Sequence, residues 1–283
     1  MFDAVLLFRE SLYGTLVIAL ACSVLGVYVV LRRIVFVGAA LAQLSSAGIA
    51  LAVWLSGQGM LLWLADEPIG LALIVTLAGV LFFASGSGRG RIPPDATIGV
   101  TYAIAAAAGI LLIAKASHGE VHDIFLQGNI LGITRSDTLV LLATAIPVLL
   151  AHLVFYKEFL FVSFDRETAR TLGFNVGFWN LFLYLTLGLV IAFAMQFAGV
   201  MLVFNFLVLP AVTGLLVSGT MGGTFAWSIV SAIVAAVVGF SISVPLDLPS
   251  GPAIIAVSGI LAVLAFLIRL FQRRLTNCHR EPV

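Results

Sequence analysis

The sequence predicts an all-α, polytopic membrane protein, a bundle of eight to nine transmembrane helices forming one membrane domain over residues 1–283. Hydrophobic residues make up 62% of the chain and charged residues 10%, with a mean hydropathy of +1.19. Soluble domains are about 45–50% apolar. The apolar residues fall in long runs nearly free of charge, and a run of about 18 or more such residues reads as a membrane-spanning helix. Those runs lack the apolar/polar alternation that a membrane β-barrel needs.

Nine apolar segments follow along the chain: 12–31, 34–55, 68–85, 96–115, 138–156, 176–196, 198–218, 224–243 and 252–271. Each can cross a hydrocarbon layer ~30 Å thick at ~1.5 Å per residue. The stretch 56–67, with "GMLLWLADEP" at its end, reads as an interfacial helix or as part of a span, which leaves eight and nine spans both open. Asp3, Arg9 and Glu10 precede the first run, where a removable secretory signal would carry only positive charge. Pro147 and Pro210 fall inside runs and are expected to kink them. Cys22 and Cys278 offer no disulfide framework. A net charge of +1 gives no reason to expect a nucleic-acid partner.

Lysine and arginine set the orientation. Arg32, Arg33, Arg89, Arg91, Lys157, Arg166, Arg170, Arg269, Arg273, Arg274 and Arg280 lie in one set of alternate loops, eleven of the 14 basic residues. Arg9, Lys115 and Arg135 lie in the other. The first set is expected to face the cytoplasm, together with the tail 272–283. The opposite face carries "ADEP", "SHGEVHD" and "PLDLPSGP", with Asp66, Glu67, His118, Glu120, His122, Asp123 and Asp247. An outer mouth of that composition would concentrate cations.

One inner stretch departs from the rest: "VSFDRETARTLGF" gathers Asp165, Arg166, Glu167 and Arg170 within six positions. Asp165 can cap a helix start, "RETARTL" continues it, and Gly173 suits a left-handed ending. The result is a charged helix of about two turns, ~10 Å long. Composition alone leaves two readings open, a solvated connector or a handle gripped by another protein.

The residues "FVSFDRETARTLGF" resemble the coupling loop of the membrane subunits of zinc, manganese and iron ABC transporters. In the same order, "LGVYVVLRRIVFVGAALAQ", "IPPDATIGVTYAIAAAAGILLI", "FLQGNILGITRSD", "AGVMLVFNFLVLPAVTGLL" and "LDLPSGPAIIAV" resemble further segments of that family. The resemblance covers most of residues 10–270. It implies a type II ABC importer-like fold, with 162–175 as a cytoplasmic coupling helix and Asp165, Arg166, Glu167, Arg170 and Gly173 as the ATPase-coupling residues. It further implies a cytoplasmic ABC ATPase, an extracytoplasmic metal-binding protein, and a second copy of the chain, all within membrane lipid. No cofactor is expected on this chain; ATP would sit on the partner and a divalent metal ion would be cargo. The sequence itself contains no G-x-x-x-x-G-K-[ST].

This chain departs from the family at one point. Relatives open the second span with a pattern close to G-D-A-L-S-H-A, whose Asp and His share a helical face. The matching stretch here is "GAALAQL", so Ala39 and Gln43 occupy those positions, with Ser46 on the same face. Amides and hydroxyls are weak neutral ligands. The stretch fits a transient hydrated metal path, a chelated or larger cargo, metal contacts made elsewhere, or hydrogen bonding between helices. Asn205, one turn before Pro210, could line the path or bond a neighbour. His152 reads as a packed histidine near the inner interface. His118, Glu120, His122 and Asp123 form the best remaining metal-like cluster, since two His four apart share a helical face; an exposed polar loop is the other reading. Asp247 matches a family pattern and would face the docking partner or the vestibule.

Three functions compete. The first is the permease subunit of an importer for zinc or manganese in the cytoplasmic membrane. The second is a self-sufficient secondary transporter or channel, which would need carboxylates at membrane depth. The third is an intramembrane enzyme; the chain has no H-E-x-x-H and no G-x-S-x-G.

Overall fold

The computed structural model describes residues 8–57, 68–85, 93–115 and 130–278. Its helices are α1 (Arg9–Leu31), α2 (Val35–Gly57), α3 (Pro68–Ala84), α4 (Pro94–Lys115), α5 (Arg135–Val154), α6 (Tyr156–Phe164), α7 (Arg166–Thr171), α8 (Val176–Val217), α9 (Met221–Ser243) and α10 (Ser250–Cys278), with a 3-10 turn at Ile130–Gly132. No strand occurs among the described residues. Polar residues mark several starts. Thr134 and Asp137 form a reciprocal capping box on α5, Asn175 accepts from the Phe178 amide on α8, and Thr220 accepts from the Gly223 amide on α9. Each supplies a partner to an amide that the helix leaves free.

Seven helices are long and apolar enough to cross a membrane, and Ile69–Ala84 is a shorter apolar one. One of the seven, α8, has 42 residues. As a straight rod it would run ~63 Å, about twice a hydrocarbon layer. It is not straight. Gly199 (φ 72°, ψ 167°) breaks it in a region of backbone space open essentially to glycine alone. Both limbs return to the same end of α1. Asn180 on the first accepts a hydrogen bond from Arg32, while the Leu207 carbonyl on the second lies against Gly26. Residues 180 and 207 would stand ~40 Å apart on a straight helix, whereas 26 and 32 are ~9 Å apart along α1. The chain therefore folds back at Gly199. Seven long helices, the second limb of α8 and the shorter α3 give nine apolar helical segments among the described residues, matching the nine apolar runs of the sequence.

The core is built by α1, α2 and α8. Leu25 and Tyr28 of α1, Leu41 of α2, and Leu187, Ile191 and Phe206 of α8 are all essentially inaccessible. Gly26 permits this closeness, because a Cβ there would collide with the Leu207 carbonyl oxygen. By contrast, Leu111 of α4, Leu153 of α5 and Phe266 of α10 point outward. Apolar side chains on the outside of a bundle are what lipid contact requires, because association inside a bilayer relies on packing of small residues and not on hiding greasy ones.

The fifth span ends earlier than the sequence predicts, at Val154, and a separate helix follows, α6. The apolar run continues through it, so hydropathy did not mark the boundary. Its buried side is aromatic and aliphatic, with Phe159 and Val162 inaccessible. Pro147 and Pro210 both lie inside helices as expected, and the break in α8 falls at Gly199, beside the boundary between the apolar runs 176–196 and 198–218.

Candidate functional site

At the end of the bundle where α1 meets Arg32, α6 and the first limb of α8 flank α7. An aromatic cluster seats α6. The Phe159 ring stacks on His152 with centroids 4.3 Å apart and an interplanar angle of 8°, and lies 5.7 Å from Tyr28 and 5.2 Å from Trp179. His152 is 2% exposed and its Nδ1 lies 2.9 Å from the Val148 carbonyl, so it is a packed histidine, as the sequence suggested.

From α6 the chain enters Asp165, extended at φ −140°, ψ 95°. Its carboxylate accepts from the Thr168 hydroxyl at 2.5 Å and from the Thr168 and Glu167 amides at 2.9 and 3.1 Å. These bonds, that of the Thr168 side chain foremost, hold the Asp165 carboxyl below the usual carboxylate range. Six residues of helix follow. Ala169 is buried beneath it, while Arg166, Glu167, Arg170 and Leu172 are exposed. Gly173 ends the helix at φ 86°. Its amide donates to Arg170 and the Phe174 amide donates to Ala169, closing the terminal carbonyls. Both ends of α7 are thus fixed and its charged side is free. A cleft of about 590 Å³ opens beside it, lined mainly by Tyr156, Leu160, Phe161, Phe164 and Phe174. Nothing in this arrangement is a nucleophile paired with a base. What it offers is a rigid, charged protrusion next to an apolar slot.

Elsewhere, Ala39, Gln43 and Ser46 lie buried on one face of α2, at 8%, 8% and 6% exposure. The face is neutral, and Ser45 beside it has a buried hydroxyl oxygen without a partner. Asn205 is committed to α10, its amide donating to the Ser258 hydroxyl at 3.0 Å while its own Oδ1 is buried and unpaired. Asp247 is exposed in the turn between α9 and α10 at φ 51°. Among the described residues no group of three His, Cys, Asp or Glu could hold a metal ion. His118, Glu120, His122 and Asp123 lie outside the described residues, as do Asp66 and Glu67.

Sequence reasoning missed Arg32. It counted Arg32 and Arg33 only as topology markers. Arg33 is solvated, but Arg32 is 8% exposed and hydrogen-bonded to Ser163 of α6 and Asn180 of α8. The available signal was Asn180, a polar residue near the start of an apolar run.

The sequence matches the ABC 3 transport family over residues 5–269. The chain belongs to the ABC 3 transport family. It is 30% identical over 277 residues to the manganese transport system membrane protein MntC of Listeria monocytogenes, covering 97% of this chain and 95% of that one. It is 29% identical over 269 residues to the manganese import system permease protein ScaB of Streptococcus gordonii, covering 94% and 93%. Among solved structures it is similar to a chain of PsaBC from Streptococcus pneumoniae in complex with Fab, with a TM-score of 0.79, 25% identity, and coverage of 91% of this chain and 90% of that one. The ABC 3 transport family chain described here is therefore a multi-pass membrane protein with a type II ABC importer fold, and α7 is an element of that fold.

Proposed function

We propose that this chain is the permease subunit of an ABC importer carrying a divalent metal ion, manganese first and zinc next, across the cytoplasmic membrane. A separate cytoplasmic ATPase binds the ATP and drives it. The observation that carries this reading is α7: a capped, charged helix held between two membrane segments in a chain with no phosphate-binding glycine–lysine loop of its own. Asp165 and Gly173 set its shape. Arg166, Glu167 and Arg170 are the charged contacts for the ATPase, and the apolar cleft beside them receives a side chain from the same partner.

Two copies of the chain with two ATPase subunits form the transporter, and an extracytoplasmic binding protein delivers the metal to the side of the membrane that holds Asp247. Gln43 and Ser46 line the path on α2, beside Ala39. A self-powered carrier is disfavoured, since among the described residues no Asp or Glu side chain is fully buried, the half-buried Glu158 lying in the first turn of α6, and ion-coupled carriers use intramembrane carboxylates. A second reading concerns cargo only. The neutral Ala39–Gln43–Ser46 face lacks the charged ligands that a bare divalent ion prefers, and this favours a chelated metal.

The test is uptake into proteoliposomes holding the chain with its ATPase. Manganese, zinc and iron are offered bare and chelated, with ATP inside. ATP-dependent accumulation is expected, and Glu167→Ala with Arg170→Ala should reduce both ATPase copurification and uptake at least tenfold. Accumulation that persists without the ATPase would refute this reading. Uptake of a chelate but no bare ion would replace the first cargo with the second.

A further inference from the structure

Arg32 stands at the inner end of α1 as its C-cap. Its Nε donates to the Ser163 hydroxyl at 2.8 Å and its Nη1 to the Asn180 Oδ1 at 3.0 Å. Ser163 lies in the last turn of α6, two residues before the Asp165 cap of α7. Asn180 lies in the second turn of α8, which begins at Val176 just past α7. One guanidinium therefore holds both the entry and the exit of the α7 loop to the end of a core helix.

The environment of Arg32 makes its retention informative. It is 8% exposed, its Nη2 is buried without a partner, and the oxygens it meets are neutral. The charged side chain whose field reaches it is another cation, Arg166 in the first turn of α7. A buried cation held only by neutral groups is costly, and an apolar residue would pack there more easily. What an apolar residue could not do is bond two separate segments from one point. The planar fork of arginine does this, and the single ammonium of lysine does it poorly. The Ser163 hydroxyl is itself held to the Phe159 carbonyl, so the link runs from Arg32 through Ser163 into the backbone of α6.

We propose that Arg32 is the positioning residue that locks both limbs of the α7 loop to the inner end of α1, so that displacement of α7 moves α1 and α8 as one body. The proposal rests on the reading of α7 as the ATPase contact only for its consequence in transport; the mechanical link is a property of this chain alone.

The experiment has two parts. In the first, nitroxide labels on Glu167→Cys and Arg33→Cys report the distance between α7 and the end of α1 in the full chain in nanodiscs, with Cys22→Ala and Cys278→Ser removing the native thiols. A narrow distance distribution is expected. Arg32→Gln and the pair Ser163→Ala with Asn180→Ala should broaden it, with Arg32→Lys falling between. An unchanged distribution in Arg32→Gln overturns the proposal whatever the transport result. So does a broadening accompanied by loss of the folded monodisperse species in both Arg32→Gln and Arg32→Lys, because that marks a fold defect.

In the second part, metal transported per ATP hydrolysed is measured in the complete transporter. Arg32→Gln should assemble with the ATPase and hydrolyse ATP, yet lose about tenfold in transport per ATP. Arg32→Lys should recover part of this, and Arg33→Gln should match wild type. An unchanged ratio in Arg32→Gln also overturns the proposal. A wild-type chain that shows the narrow distribution but no ATP-dependent uptake would instead overturn the functional reading and leave the mechanical link standing.

Discussion

Asp165 shows how one side chain can set the shape of an exposed charged helix. Its carboxylate serves two backbone amides and the Thr168 hydroxyl at once, and an ionised cap also suits the positive end of a helix. Those bonds hold its folded-state pKa down. The contribution of the cap is therefore fully present above the unfolded value of about 3.9 and is lost as pH falls through the lower folded value. Hydrogen exchange of residues 166–171, corrected for intrinsic rates, should show constant protection from neutral pH to about 5 and a decline only below about 4. Asp165→Ala should abolish that dependence and speed exchange about fivefold at neutral pH, while Asp165→Asn should keep most of the protection. Gly26 makes a different residue-scale point. Its missing Cβ is the space occupied by the Leu207 carbonyl, so Gly26→Val must push α1 from α8. A cost of about 2 kcal/mol or more is expected, read as a lower melting temperature in detergent.

At the scale of the element, the decisive object is the break in α8. Gly199 combines positive φ with extended ψ, where a Cβ costs about 1–3 kcal/mol. Gly199→Ala should lower the melting temperature by several degrees. Gly222→Ala, in open space in the first turn of α9, should be neutral or slightly stabilising. The sequence separated these two limbs through its apolar runs, 176–196 and 198–218, within a few residues of the break, but it did not single out Gly199 as the residue that makes the turn. A proline advertises itself, whereas one glycine among 27 does not. The same asymmetry holds at the site. The cap, the charges and the terminal glycine of α7 were legible because each acts on its own neighbours in sequence. Arg32 was not, because its partners Ser163 and Asn180 lie 131 and 148 positions away. Nor was α6, whose apolar residues continue the preceding run; only the packing of Phe159 against His152, Tyr28 and Trp179 turns it aside. Asn205 was left open between path and partner, and Ser258, 53 residues on, is the partner it bonds.

For the whole molecule, the fold-back at Gly199 decides which surfaces share a side of the membrane. With α8 crossing twice, the chain passes from α7 out to Gly199, back to Val217, and out again through α9 to the turn holding Asp247. Glu167 and Asp247 then lie on opposite sides. Were α8 a single crossing, α9 would return to the side of α7 and the two would lie together, so the pair reports directly on the break. Basic residues add the absolute sense. The loop of Arg32 and Arg33, the α7 loop and the C-terminal segment hold most of the chain's positive charge, a bias that predicts a cytoplasmic position for them. In a chain with Cys22→Ala and Cys278→Ser, Asp247→Cys should react with a membrane-impermeant maleimide on intact cells. Glu167→Cys should react only after the membrane is opened. Equal labelling of both in intact cells would mean that α8 does not reverse. Labelling of Glu167→Cys alone would invert the bundle and put α7 on the side where no ATPase could reach it.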